Sequence, residues 1–232
     1  MSEYQLTAIE QHLNCAPVLY YYVPVVVGGG GHQNKFAAVL QGGVNVYVKP
    51  SWDMQDGIRA VKNEVAAYEV IKLLGFGDMM GTTVLRNMAS PDTMKSGPAS
   101  LQVFWPSAIT PISATSFDEA QITRAATFDH LILHTDRQSQ NWLAVEGTTT
   151  AGTVNHLKLI DNGFAFDWPG RPPGSAFVDL RRGQDLPSHV ITAVERFIVN
   201  VPSSRLDTLL EPNVLESMLS RARSLVAGRR IP

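Results

Sequence analysis

Between Phe128 and Phe166 the chain spaces histidine, aspartate and asparagine as a phosphoryl-transfer site requires. His134, Asp136 and Asn141 follow the order H-x-D-x-x-x-x-N, and the apolar run Leu157-Lys-Leu-Ile then ends in Asp161-Asn162-Gly163. Transfer of a phosphoryl group needs a carboxylate to orient or deprotonate the attacking hydroxyl. It also needs an amide and a second carboxylate to hold Mg²⁺ across the nucleotide phosphates. Asp136 fits the first role, and Asn141 and Asp161 fit the second. D-x-x-x-x-N alone is a weak signal; its order after a predicted helix and before an Asp that ends a predicted strand strengthens it. Read without its context, Asp161-Asn162-Gly163 is a simple turn, since Asn-Gly is a common hairpin signal.

The remaining parts of such a site stand upstream in the required order. Gly28, Gly29, Gly30 and Gly31 follow a strand-like run and supply backbone N–H groups that could cover phosphates. Val44, Val46 and Val48 alternate with Asn45, Tyr47 and Lys49, so Lys49 leaves the strand on the side away from the valines. Arg59 to Leu74 reads as a helix stopped by Gly75 and Gly77. Glu64 shares its face with Ala67, Tyr68 and Ile71, so it is the acid of the more apolar side. Glu69, beside Lys62, Val65 and Lys72, reads as a solvated partner of lysines. Lys49 and Glu64 together form a candidate ion pair for the α- and β-phosphates. Lys35 is the rival phosphate lysine. His134 is either a catalyst or a neutral imidazole that fixes its loop through a backbone hydrogen bond.

These residues need strands before the helix and helices after it. Val18 to Val27, Lys35 to Leu40 and Val44 to Lys49 read as strands, and Met88 to Ala99 reads as an exposed Ser/Pro/Gly-rich loop. Leu101 to Trp105 is a short strand placed to join two lobes. Phe117 to Leu133 reads as a helix with Ser116 as its N-cap, and Asn141 to Glu146 and His156 to Ile160 read as strands. Trp105 and Trp142 read as core. Helices are predicted near 188–200, 203–210 and 213–227, with Arg221, Arg223, Arg229 and Arg230 as a solvated basic tail. The fold class is therefore α+β: a strand-rich N-lobe over 1–104 and a helical C-lobe over 105–232.

His134-Thr-Asp-Arg-Gln-Ser-Gln-Asn-Trp-Leu143, with Ile160-Asp-Asn-Gly-Phe-Ala-Phe166, resembles the catalytic core of the phosphatidylinositol 3-/4-kinase-like superfamily. That superfamily includes type II phosphatidylinositol 4-kinases and HipA-like Ser/Thr kinases. Asn63-Glu-Val-Ala-Ala-Tyr68 is similar to the helix that carries the family's ion-pair glutamate, and Ser100 to Trp105 resembles its inter-lobe hinge. The resemblance runs in order from about Gly28 to Phe166 and is most specific in the C-terminal part. It implies a two-lobed protein-kinase-like fold that uses ATP and Mg²⁺. Asp136 becomes the catalytic aspartate, Asn141 and Asp161 the metal ligands, Lys49 and Glu64 the ion pair, and Val103, Phe104 and Trp105 the adenine contacts. His134 departs from the Asn usual in the lipid kinases, and the run Gly28-Gly29-Gly30-Gly31 does not follow G-x-G-x-x-G.

Composition excludes other classes. The 232 residues are 44% hydrophobic and 17% charged with a net charge of −2, which rules out wholesale disorder and argues against a nucleic-acid-coating protein. A single cysteine, Cys15, excludes an internal disulfide framework. No apolar run approaches about 18 residues, and the start, with Glu3 and Glu10, lacks a signal-peptide pattern. A cytoplasmic protein is the expectation. The sequence contains no G-x-x-x-x-G-K-[ST], H-E-x-x-H or G-x-S-x-G. The reaction expected is transfer of the γ-phosphoryl group of ATP to a hydroxyl, a protein Ser/Thr by analogy with the HipA-like kinases. A phosphoinositide or small alcohol is the alternative acceptor, and a catalytically silent binding module is the alternative class.

Overall fold

The structure is a computed structural model that describes residues 6–22, 36–52, 56–105, 107–109, 112–149, 152–168, 170 and 172–232. The expected phosphate-covering glycines Gly28, Gly29, Gly30 and Gly31 lie outside the described residues, as does the rival lysine Lys35. Among the described residues, no helix is long and apolar enough to cross a membrane.

Five antiparallel strands form the first sheet: β1 (Val18–Tyr22), β2 (Phe36–Leu40), β3 (Val44–Pro50), β4 (Thr83–Ala89) and β5 (Ser96–Val103). Their order is β1-β2-β3-β5-β4. The alternation read in β3 is present: Val46 and Val48 are fully buried among Phe36, Ala38, Val84 and Leu101 on one face. Asn45, Tyr47 and Lys49 therefore leave by the other. The segment read as a loop over Met88–Ala99 is instead the tip of the β4–β5 hairpin, whose pairing runs out to Ala89 opposite Ser96. Its Ser/Pro/Gly content belongs to the turn, where Ser90 Oγ accepts from the N–H groups of Asp92 and Thr93 at 3.3 and 3.2 Å.

Two helices flank this sheet. α1 (Ala8–Cys15), which the sequence reading missed, closes its first turn with a reciprocal Thr7–Glu10 capping box. α2 (Gly57–Leu73) fills the helix read at 59–74. A Cβ at Gly57 would sit 2.0 Å from the Ser51 carbonyl oxygen, so only glycine lets the helix start so close to the end of β3. Glu69 is a correction. It is fully buried and pairs with Lys72 at 3.0 Å and Arg205 at 3.5 Å, beside an equally buried Glu10 that also pairs with Lys72. Helical spacing identified the face of Glu69; α1 and Arg205, remote in sequence, cover it.

The helical lobe contains α3 (Glu119–Ile132), the hairpin β6 (Trp142–Thr149) and β7 (Gly152–Leu159), α4 (Ala176–Arg181), α5 (Ser188–Asn200), α6 (Leu206–Leu209) and α7 (Pro212–Gly228). α3 starts two residues later than expected. Its N-cap is Asp118, whose Oδ1 accepts from the Gln121 N–H at 2.7 Å, while Ser116 ends a separate short turn. A continuous core joins Phe128, Leu131, Phe177, Val194, Phe197 and Leu225 to the underside of α2 at Ala67, Val70 and Ile71. Arg221 is not solvated as expected: it donates from Nε and Nη2 to the Leu131 carbonyl at 3.0 and 2.8 Å, capping the end of α3.

Candidate active site

Lys49 projects from the face of β3 opposite Val46 and Val48 to two carboxylates. Its Nζ donates to Glu64 Oε1 in a short contact and to Asp161 Oδ1 at 2.9 Å. Burial alone would push the lysine pKa down; the charges of Asp161 and Glu64 more than reverse that, and it stands above the ordinary value. The lysine is thus held as a cation at the junction of a strand, a helix and the Asp161 loop.

Glu64 does more than pair with Lys49. The same Oε1 accepts from the Gly163 N–H at 3.0 Å. Its neighbour Asn63 donates from Nδ2 to the carbonyls of Gly163 at 3.0 Å and Ala165 at 2.9 Å. Consecutive residues of α2 therefore grip both sides of the turn that follows Asp161. Asp161 itself holds a left-handed φ of 58°, an uncommon conformation for a residue with a Cβ. This turn is not a hairpin loop; it is tied down by a helix.

Asp136 lies on the loop between α3 and β6, where a short turn over Ser139–Asn141 brings Asn141 back toward it. Asn141 Nδ2 donates to the Asp136 carbonyl at 2.5 Å and faces its carboxylate Oδ2 at 3.4 Å. A carbonyl only accepts, so the nitrogen of this amide is the atom turned to Asp136 and the oxygen is at its other end. Gln138 donates from Nε2 to Asp136 Oδ1 in a short contact. His134 joins this loop to the Asp161 loop. Its Nδ1 accepts from the Asp136 N–H at 3.1 Å, so Nε2 carries the proton and donates to the Asp161 carbonyl, also at 3.1 Å. Of the two roles open for His134, the structure shows the orienting one.

Burial pushes the His134 pKa down to about 3, with Arg137 adding to the effect. Burial likewise lowers His130 to about 4, helped by Arg221 and Arg182. Both are neutral when folded and take up protons more readily when unfolded, so the unfolded chain gains protons first as pH falls. Stability is expected to be full above about pH 6.5 and to decline by a few kcal/mol as pH falls from there toward 3. Denaturant midpoints measured against pH check this. His134→Asn should flatten the decline in part, leaving the contribution of His130.

Beneath the site lies a buried cation that sequence reasoning missed. Arg137 donates from Nε and Nη2 to Asp129 at 3.0–3.2 Å, from Nη1 to the carbonyls of Asn141 at 2.8 Å and Ile160 at 2.6 Å, and from Nη2 to Asn162 Oδ1 at 2.6 Å. Ser175 Oγ donates to Asp129 Oδ2 at 2.7 Å. Arg137 adjoins Asp136 in sequence, yet its side chain points into the core. Nothing local identifies its partners, because Asp129, Asn162 and Ser175 come from three other elements.

Val103, Phe104 and Trp105, at the end of β5, are half-buried. The Val103 N–H donates to the Thr82 carbonyl at 2.9 Å and the Phe104 N–H to that of Asn45 at 3.0 Å. The Phe104 ring lies 6.1 Å from that of Tyr47, and Lys158 Nζ lies 5.1 Å from the centroid of the Trp105 ring. Of the two tryptophans read as core, Trp142 is buried and Trp105 is only partly so.

The donor set suits a hard cation. An amide oxygen from Asn141 and a carboxylate from Asp161 are oxygen ligands of the kind Mg²⁺ and Mn²⁺ take. Among the described residues, no group of three or more His, Cys, Asp or Glu side chains is gathered for a metal.

No family model matches the chain, and no curated protein does. Solved structures do. The Golgi casein kinase with Mn and ADP bound matches with a TM-score of 0.64 at 14% identity, over 94% of this chain and 74% of that one. A second structure of the Golgi casein kinase matches with a TM-score of 0.63 at the same identity and coverage. A proinflammatory kinase of Helicobacter pylori matches with a TM-score of 0.49 at 13% identity, over 94% of both chains. The likeness is one of fold, and with the strand-rich sheet and helical lobe described above it shows that the chain has an α+β, two-lobed, protein-kinase-like fold.

Proposed function

We propose that the chain is an ATP- and Mg²⁺-dependent phosphotransferase that moves the γ-phosphoryl group to a hydroxyl of a protein Ser or Thr. The observation that carries this reading is the convergence of Lys49, Glu64 and Asp161 with Asp136 and Asn141, the two loops being joined through His134. Lys49, oriented by Glu64, binds phosphate oxygens and offsets charge that spreads over them in the transition state. Asp136 accepts a hydrogen bond from the acceptor hydroxyl and takes its proton as the new O–P bond forms and the bond from the γ-phosphorus to the bridging oxygen breaks, releasing ADP. Asn141 and Asp161 would hold Mg²⁺, which when bound neutralises phosphate charge. Val103 to Trp105 would line the base site.

The fold likeness to a casein kinase supports a protein acceptor. The net charge of −2 gives no electrostatic attraction to an anionic lipid surface. The test is transfer from γ-labelled ATP with Mg²⁺ to cell-extract protein and, separately, to phosphoinositide vesicles, using wild type and Asp136→Ala. Label in protein, absent in the variant, is the expected result. Label in lipid would replace the acceptor class. Nucleotide binding with no label in either pool would identify a silent binding module.

A further inference from the structure

The chemistry proposed above does not use Arg59 of α2. Arg59, half-buried in the first turns of the helix, donates from Nη2 to the carbonyls of Phe166 at 3.2 Å and Asp167 at 3.1 Å. Its guanidinium lies 5.3 Å from the centroid of the Trp168 ring, which meets Phe164 edge-on at 4.9 Å. A planar guanidinium that both bonds two carbonyls and stacks on an indole fixes position as well as distance.

The residues it holds are those most in need of holding. Phe166 and Asp167 have successive left-handed φ values of 62° and 55°, a conformation that a side chain disfavours and that surrounding structure must impose. From the helical lobe, the Phe166 N–H donates to the Ile132 carbonyl at 2.6 Å and the Phe166 ring is buried in the core. Burial pulls the Arg221 pKa down, and the nearby Asp167 carboxylate opposes that pull, so Asp167 also has a cation on the helical-lobe side.

Arg59 and Asn63 share one helix face at i and i+4, with Glu64 adjoining. Glu64 and Asn63 hold Gly163 and Ala165, and Arg59, one turn earlier, holds Phe166 and Asp167. The segment leaving Asp161 is thus fastened along one turn of α2 in the direction opposite to the helix. We propose that Arg59 is a positioning residue, a latch that couples α2 and its Lys49–Glu64 pair to the segment after Asp161. Released, the segment frays from Asp167 back toward Gly163, and Asp161 is no longer presented beside Lys49. The nucleotide half of this inference rests on the phosphotransferase reading; the latch itself does not.

The test uses the full chain with Arg59→Ala and Arg59→Lys. Amide hydrogen exchange over 164–168 should rise about tenfold or more in Arg59→Ala, with β6 and β7 unchanged. ADP affinity in the presence of Mg²⁺ should fall about fivefold to tenfold while metal-free ADP affinity holds, and Lys should recover only part of both losses. Unchanged exchange over 164–168 would overturn the latch, as would a rise spread evenly over the chain. If the wild type binds no ADP, the phosphotransferase reading fails, and the exchange result alone decides the latch.

Discussion

Arg137→Met is expected to destabilise the chain by about 3–5 kcal/mol, the cost of breaking a fully buried ion pair from one side. The substitution leaves the Asp129 carboxylate buried with the Ser175 hydroxyl as its remaining donor and no cation. It also removes the donors to Asn162 Oδ1 and the Ile160 carbonyl, and one of two to the Asn141 carbonyl, which keeps the Ile160 N–H at 3.2 Å. Those groups lie beside Asn141 and Asp161, so the site should loosen with the core. Urea denaturation measures the loss. Two controls separate this mechanism from a general effect of losing an arginine. Arg182, exposed and paired with an exposed Asp179 at 2.8 Å, should give less than about 1 kcal/mol when replaced by Ala. Asp129→Leu combined with Arg137→Met should recover part of the single-variant loss, because no unpaired charge then remains.

Lys49→Met should reduce phosphoryl transfer by about 10²–10³-fold, the range for removing one preorganised donor from a developing charge. The lysine stands between Glu64 and Asp161, and its loss leaves both carboxylates without this cation at the proposed phosphate site. ADP affinity should fall with it. Lys49→Arg should not restore either, since a planar fork cannot take the place of a compact ammonium between two carboxylates. Glu64→Gln should fall between wild type and Lys49→Met: the amide still accepts from the Gly163 N–H but no longer supplies charge to orient Lys49. Transfer rates from ATP, with ADP titrations alongside, test the series.

The candidate site residues are the most legible part of the chain. Lys49 and Glu64 follow from strand alternation and helical spacing, and both lie where those periodicities put them. Asp136, Asn141 and Asp161 follow from one spacing pattern, and the structure joins their loops through His134 and the Ile160–Asn141 backbone bond. What sequence does not supply is the identity of the covering partner. Glu69 reads as solvated because its local neighbours are lysines, yet α1 and Arg205 close over it. Arg221 reads as a tail residue because the end of α3, which it caps, is remote in sequence. Arg137 and Asn63 act through carbonyls and side chains of other elements, and such contacts have no periodicity to betray them. Cap and turn boundaries fail for a different reason. Ser116 and Asp118 are both good caps, and only the Gln121 N–H shows which is used. The Ser/Pro/Gly content around 88–99 marks a turn correctly but not how far the strands run into it.

The division of labour between Asp136 and Asp161 is tested most directly by ADP affinity measured with and without Mg²⁺ in wild type, Asp136→Ala and Asp161→Asn. Mg²⁺ is expected to strengthen binding in the wild type and in Asp136→Ala alike, because the role proposed for that carboxylate is at the acceptor rather than the metal. The gain should vanish in Asp161→Asn. A Mg²⁺ effect that survives Asp161→Asn, or one that is lost with Asp136, would contradict the site described here.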